Sequence, residues 1–130
     1  MTMKKDLTSR EDIIKLVNAF YDKVKSDPVI GYLFTDVAKI NWDEHLPKMY
    51  NFWENIIFYS GNYSGSPMIV HRELHQKSTM NEAHFEHWVK LFTETVEESF
   101  LGENADEIKS RARNIASVMM YKTLATGKPN

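Results

Sequence analysis

The chain has no cysteine. That excludes disulfides, thiolate zinc sites, iron–sulfur clusters and thiol catalysis, and it is compatible with a reducing compartment. Proline and glycine are scarce, four and five in 130 residues; they punctuate the chain, and no stretch is repetitive or of low complexity. Charge of one sign is missing too. The net charge is -2 with both signs interspersed, so there is no basic field for nucleic acid or for an anionic membrane surface. No apolar run approaches the length of a membrane span, and the start, Met1–Asp6, lacks the apolar segment of a secretory signal. These absences set the expectation of a soluble, cytoplasmic protein. Several active-site signatures are absent as well. There is no HExxH, no Gly-rich phosphate loop and no nucleophilic serine in a strand–turn–helix setting. No histidine has a glutamate three residues before it, as a di-iron carboxylate bundle would require.

What is present reads as helix. A length of 130 residues suits one domain with one core, expected here over residues 1–130 with an ordered part at 8–124. Seven Met, seven Phe, six Tyr and three Trp supply a soft, aromatic interior. Thr8 and Glu11 have capping-box spacing, and Ile13, Val17, Phe20 and Val24 follow at steps of three and four, with Ile14 and Tyr21 on the neighbouring stripe. Asp27-Pro28 stops this helix, and Gly31 lets the chain bend before Leu33-Phe34. Asn41 and Glu44 pair ahead of Trp42, Leu46, Met49, Phe52, Trp53, Ile56 and Ile57. Pro47 inside that run would cost about 3 kcal/mol deep in a helix, so the regular helix is expected to begin near Leu46–Pro47. Residues 62–67 read as loop, and 68–74 as one or two helical turns. Thr79 and Glu82 again have capping-box spacing before Phe85, Trp88, Val89, Phe92, Val96 and Phe100. Gly102 is a stop, and Asn104 with Glu107 starts a last helix whose inward residues are Ala105, Ile108, Ala112, Ile115, Ala116, Met119 and Leu124. No length alternates with period two. The class is all-α, with four main helices and short connecting turns.

Five histidines are present, at 45, 71, 75, 84 and 87. His71 and His75 are four apart and His84 and His87 three apart, so either pair could share a helix face and hold a divalent metal, or lie on a solvated face by chance. A different signal comes from polar groups on apolar faces. Tyr21 lies beside Phe20, His45 is one turn ahead of Met49, and Trp88 is central on its helix. Each carries a hydrogen-bond donor on a mainly apolar body, and each alone would pass as a satisfied core residue. Three such donors on three helices, with His71 on a separate segment, suit a small polar ligand on a metal centre.

These residues resemble a known family. Phe20-Tyr21, Leu33-Phe34, Trp42-x-x-His45-Leu46-Pro47-x-Met49-x-x-Phe52-Trp53, Tyr63-x-Gly65-x-Pro67-x-x-x-His71 and His84-Phe85-x-x-Trp88-x-x-Leu91-Phe92 stand in the order and spacing of the truncated, two-over-two helical haemoglobins, group III. The resemblance runs from about Ile13 to Met120, and the glycine-pair motifs of the other truncated groups are missing. It implies a haem (iron protoporphyrin) held by His71 as proximal iron ligand. Tyr21, His45 and Trp88 become the distal residues that stabilise the ligand, and His45 is also a candidate sixth ligand. Phe34 would wedge against the porphyrin, with Phe20, Met49, Phe52, Trp53, Val70 and Phe85 around it; Met49 departs from the aliphatic residue common in the family. Lys48 and Arg72 are the nearest basic residues for the propionates, and His75 would be a haem-edge residue or exposed. The implied ligands are dioxygen and nitric oxide. The implied chemistry is nitric oxide dioxygenation or peroxide reaction, which suits a polar distal pocket better than bulk oxygen transport. It would call for a separate reductase and a monomer or weak oligomer. The alternative of another class is a haem-free helical binding or sensor module, with a divalent metal at His71 and His75.

Overall fold

The computed structural model describes residues 4–37, 39–58 and 81–126. Four long helices carry them: α1 (Arg10–Ser26), α2 (Trp42–Phe58), α3 (Glu82–Ser99) and α4 (Glu103–Thr126). A π-helical turn, Leu33–Val37, lies between the first two. The all-α expectation holds: among the described residues there is no strand, only an isolated bridge between Lys5 and Phe100. α1 packs on α2 and α3, and α4 packs on α3 and α2, so two helix pairs enclose one core, the two-over-two arrangement. No helix among the described residues is long and apolar enough to cross a membrane.

α1 forms where the apolar stripe is, and Ile13, Leu16, Val17, Phe20, Tyr21 and Val24 are buried on it. Each such burial is worth roughly 1.5–3 kcal/mol. The helix starts one residue later than the Thr8–Glu11 pair predicts. Ser9 is the N-cap, and its hydroxyl accepts from the Asp12 amide. Thr8 instead donates its amide (2.9 Å) and its hydroxyl (3.1 Å) to the Asp12 carboxylate. The two candidate pairs share one spacing; the acidic side chain that turned back toward the chain decided between them. The predicted stop is found, with Asp27 as C-cap. Gly31 is required by close approach: a Cβ there would stand 2.6 Å from the Val24 carbonyl oxygen. The chain thus doubles back against the end of α1. The π-helical turn that follows is wider than an α-turn, so consecutive residues lie closer in angle, and Leu33 and Phe34 both point inward, 0% and 1% exposed.

α2 begins at Trp42, four residues before the expected start, with Pro47 inside it. Pro47 sits in the second turn, where its missing N–H deprives only the Asp43 carbonyl; Asp43 and Pro47 are both exposed, so water can take that place. α3 is capped by Asn81, not Thr79, which lies outside the described residues. The Asn81 side chain accepts from the His84 amide (3.0 Å), and the Asn81 amide donates to His84 Nδ1 (3.1 Å). A histidine here does what Glu or Gln usually does in a capping box.

The start of α4 also differs from the Asn104–Glu107 pairing. Asp6, nearly a hundred residues earlier, caps it, accepting from the amides of Asn104 (2.9 Å) and Ala105 (2.8 Å). Gly102, at φ 146°, makes room for that carboxylate, since a Cβ would meet Asp6 Cγ at 2.4 Å. Leu7 is fully buried, Asn104 Nδ2 donates to its carbonyl (2.7 Å), and the Leu101 amide donates to the Lys5 carbonyl (2.9 Å). The packed region therefore reaches past Thr8 to Lys5, a strap across the α3–α4 corner.

Candidate functional site

Tyr21 on α1, Phe34 on the π-helical turn, and Trp42 and His45 on α2 come together as one ring cluster. The Tyr21 centroid is 5.1 Å from His45, edge to face, 5.4 Å from Trp42 and 6.4 Å from Phe34. Trp42 and His45, one helical turn apart, are 5.7 Å apart and nearly perpendicular. Phe20 links this cluster to α3, with its ring 4.9 Å from Tyr21 and 5.7 Å from Trp88. Behind it, Trp88 and Trp53 each stack on Phe92, at 5.8 and 4.9 Å, and Phe52 packs edgewise on Trp53 at 4.9 Å. Edge-to-face and offset contacts of this kind fix ring orientation, because ring edges are positive and faces negative.

The polar tips of this cluster are sealed. Tyr21 is 2%, His45 6% and Trp88 4% exposed, and His45 Nε2 and Trp88 Nε1 are both shut off from solvent. Burial pushes the Tyr21 hydroxyl well above the usual phenol range, so it stays a neutral donor at any working pH. The indole N–H of Trp88 can only donate, and His45 Nε2 donates or accepts according to tautomer. Met49, 3% exposed, belongs to the same core.

The remaining predicted residues divide. Phe52 and Trp53 are in the core behind Trp88. Phe85, 3% exposed, lines a cavity of about 240 Å³ between α3 and α4, with Val89, Ala116 and Met120 as its apolar walls. Lys48 is exposed on α2. Val70, His71, Arg72 and His75 lie outside the described residues. His84 and His87 do not form a metal pair: His84 caps α3, and His87 Nε2 lies 2.8 Å from Asp27 Oδ2. No group of three potential metal ligands occurs among the described residues. Asp27 also accepts from the amides of Val29 (2.8 Å) and Ile30 (3.0 Å). Burial raises its carboxyl, but the His87 imidazole and these two amides outweigh burial and hold it below the ordinary carboxylate range. α1 is held to α3 at the residue next to Trp88.

Trp42 was legible only as a helix residue and as part of the resemblance; the structure makes it a ring neighbour of both Tyr21 and His45. Its place one turn before His45, on the same helix face, is the signal that could have pointed there. Arg10, donating to Asn51 and Glu54 at 2.8 Å, and Tyr50, donating to Asn18, hold α1 against α2.

A family model described as bacterial-like globin matches residues 5–121. A group 3 truncated haemoglobin from Campylobacter jejuni, ctb, is 34% identical over 126 residues, 92% of this chain and 97% of that protein. The chain belongs to the group III truncated haemoglobins. The crystal structure of a group III truncated haemoglobin from the same organism matches with a TM-score of 0.78 at 32% identity, over 92% of this chain and 94% of that one. Membership of this globin family implies haem as the cofactor and a small diatomic molecule as the ligand. The donor set fits such a group. Two donors, Tyr21 and Trp88, and the His45 imidazole, from three helices and enclosed by aromatic rings, suit a small ligand of partial negative charge held over an apolar macrocycle.

Proposed function

We propose that this truncated haemoglobin holds haem through His71 and takes dioxygen or nitric oxide on the opposite side, against Tyr21, His45 and Trp88. Its task on this reading is nitric oxide dioxygenation or a peroxidase-like reaction of peroxide, and not to carry oxygen in bulk. One observation supports this above the others: the Tyr21, His45 and Trp88 side chains are buried at 2%, 6% and 4% exposure on three different helices. Haem iron, when bound, supplies the coordination position at which a diatomic molecule is held and activated.

The rest is the work of the side chains. Tyr21 donates its hydroxyl proton without giving it up, because burial holds it protonated. Trp88 donates its indole N–H. His45 donates from Nε2 in the tautomer that carries a proton there, and with that nitrogen unprotonated it is a candidate sixth ligand when no other molecule is present. In surroundings this dry a hydrogen bond is electrostatically stronger than in water. Held by several donors, a ligand leaves slowly, which is a poor property for transport and a good one for reaction. On the other side, His71 would bind through one neutral imidazole nitrogen and donate from the other, which sets its orientation and basicity. Phe20, Phe34, Met49, Phe52, Trp53, Val70 and Phe85 would wall the apolar slot, and Lys48 and Arg72 would meet the propionates. Turnover would draw electrons from a separate reductase.

The test is loading with haem. The parent protein should show a Soret band with one haem per chain, and His71→Ala should lose the band or shift it, with helix content by circular dichroism unchanged. A parent that stays colourless with added haemin refutes the reading. An unaltered spectrum in His71→Ala removes His71 from the iron.

A further inference from the structure

Exposure around the distal cluster changes in order along one line of contacts. Lys25, at the end of α1, is exposed; Trp42 is half-buried; Tyr21 and His45 are buried. Lys25 Nζ stands 4.8 Å from the centroid of the Trp42 ring, while the Trp42 ring is itself 5.4 Å from Tyr21 and 5.7 Å from His45. Phe34, Trp88 and Met49 are all at or below 4% exposure, so among the described rings of the cluster Trp42 alone meets solvent. It is also the first residue of α2, where fewer backbone hydrogen bonds restrain a side chain than in mid-helix.

We propose that Trp42, pinned from outside by the Lys25 ammonium, is the outer wall of the Tyr21–His45 pocket and sets the largest ligand that can enter. Lys25 is attracted to the negative face of the indole, and this holds the ring upright against the two polar rings beneath it. Trp42 touches no reacting atom on this view; it is a positioning residue that also screens by size. A diatomic molecule passes with a small displacement of the ring. A branched or chain-like ligand must move the indole and break its contact with Lys25. The arrangement therefore selects for small gases and keeps bulk water off the Tyr21 and His45 tips.

The inference rests on haem being bound as proposed above, and the experiment separates the two. Ferrous, haem-loaded parent, Trp42→Ala, Trp42→Phe and Lys25→Met proteins are mixed with carbon monoxide and with n-butyl isocyanide, and association rates are compared. Trp42→Ala should speed the isocyanide by about tenfold or more and carbon monoxide by less than about threefold, since opening a wall lowers the barrier only for the ligand that collides with it. Trp42→Phe, which keeps a ring, should restore most of the discrimination. Lys25→Met, an exposed change that leaves the core alone, should speed the isocyanide by about two- to fivefold, the size of an exposed cation–π contact. The infrared C–O stretch should also broaden or split in Trp42→Ala, as Tyr21 and His45 lose their fixed ring neighbour. An isocyanide-to-carbon monoxide ratio equal to the parent's in both Trp42→Ala and Lys25→Met overturns the inference, whatever the stretch does. A parent that takes up no haem overturns the haem reading and this inference together.

Discussion

The α3–α4 corner and the aromatic cluster around Tyr21 both bury polar atoms, and they do it with different chemistry. At the corner the polar groups are charged and engaged within the chain. Asp6 takes two amides at the start of α4. Asp12 takes the Thr8 amide and hydroxyl and the Lys5 ammonium, the last at 2.6 Å. In the aromatic cluster the polar tips of Tyr21, His45 and Trp88 are set among rings, and Tyr21 is held neutral by burial itself. A carboxylate out of water is tolerable only when its oxygens are engaged, so the corner spends its polarity on architecture. A neutral polar group costs much less to bury, and on the function proposed above these three serve a molecule that comes and goes. The contrast predicts that substitutions at the corner act on stability and leave ligand chemistry alone, and that substitutions in the cluster do the reverse.

The largest expected effect is at the corner. Gly102→Ala places a methyl 2.4 Å from Asp6 Cγ at a φ of 146°, so the strap is pushed off and the backbone is strained as well. Loss of the cap and the strain together should cost about 2–4 kcal/mol, read from the midpoint of urea unfolding. The haem-loaded variant should still release dioxygen at the parent's rate. A large change in that rate would mean that the two regions are coupled, and the contrast would fail. Next in size is Tyr21→Phe. A hydrogen bond to a charged group is worth about 1.5–3 kcal/mol, so dioxygen release by stopped flow should speed up by roughly ten- to a hundredfold. Its urea midpoint should move far less than that of Gly102→Ala. An unchanged release rate would take Tyr21 out of the distal set.

The same contrast explains what could be read from the chain before its structure. Helix faces are local, and the stripes of α1, α3 and α4 carry Phe20, Trp88 and Ala112 inward as their spacing demands. Helix starts proved harder because the rules for them are short. Thr8–Glu11 and Ser9–Asp12 satisfy the same rule, and His84 is not a residue that the capping-box rule looks for. The α4 cap was out of reach, because its acceptor, Asp6, comes from the other end of the chain. The pairing of His87 with Asp27 was hidden in the same way, since Asp27 read only as a helix stop and His87 only as one of a histidine pair on another helix. In the site, Tyr21, His45 and Trp88 stood out as donors on apolar faces, a local property. The edge-to-face ring of Trp42, Tyr21 and His45 joins α1 to α2, and only the packing of those helices sets its distances.

The smallest expected effect separates the regions by pH. Burial raises the Asp12 carboxyl, but Lys5 and the Thr8 amide and hydroxyl outweigh burial and hold it below its ordinary value of 3.8. A carboxyl whose pKa is lower folded than unfolded adds stability that is fully present above the unfolded value. That stability drains away as pH falls through the folded one. Asp27 has the same sign, with His87 and two amides in the place of Lys5 and Thr8. The protein should therefore lose stability from about pH 4 downward, with both carboxyls contributing. Asp12→Asn keeps the shape and can still accept from Thr8, but it gives up the charge. Lys5 is largely exposed, its side chain at 59%, so its ion pair is screened and contributes little. The variant should lose about 1 kcal/mol at pH 7, chiefly from weaker bonds to Thr8. Its decline from about pH 4 downward, followed by urea midpoints, should be shallower than the parent's, because one of the two titrating groups is gone. The dioxygen release rate over pH 6–9 should be the same in both proteins, since Tyr21 does not titrate there. Equal acid slopes in parent and variant would show that Asp12 is not held ionised by the strap, and the corner would lose its claim to be built on charge.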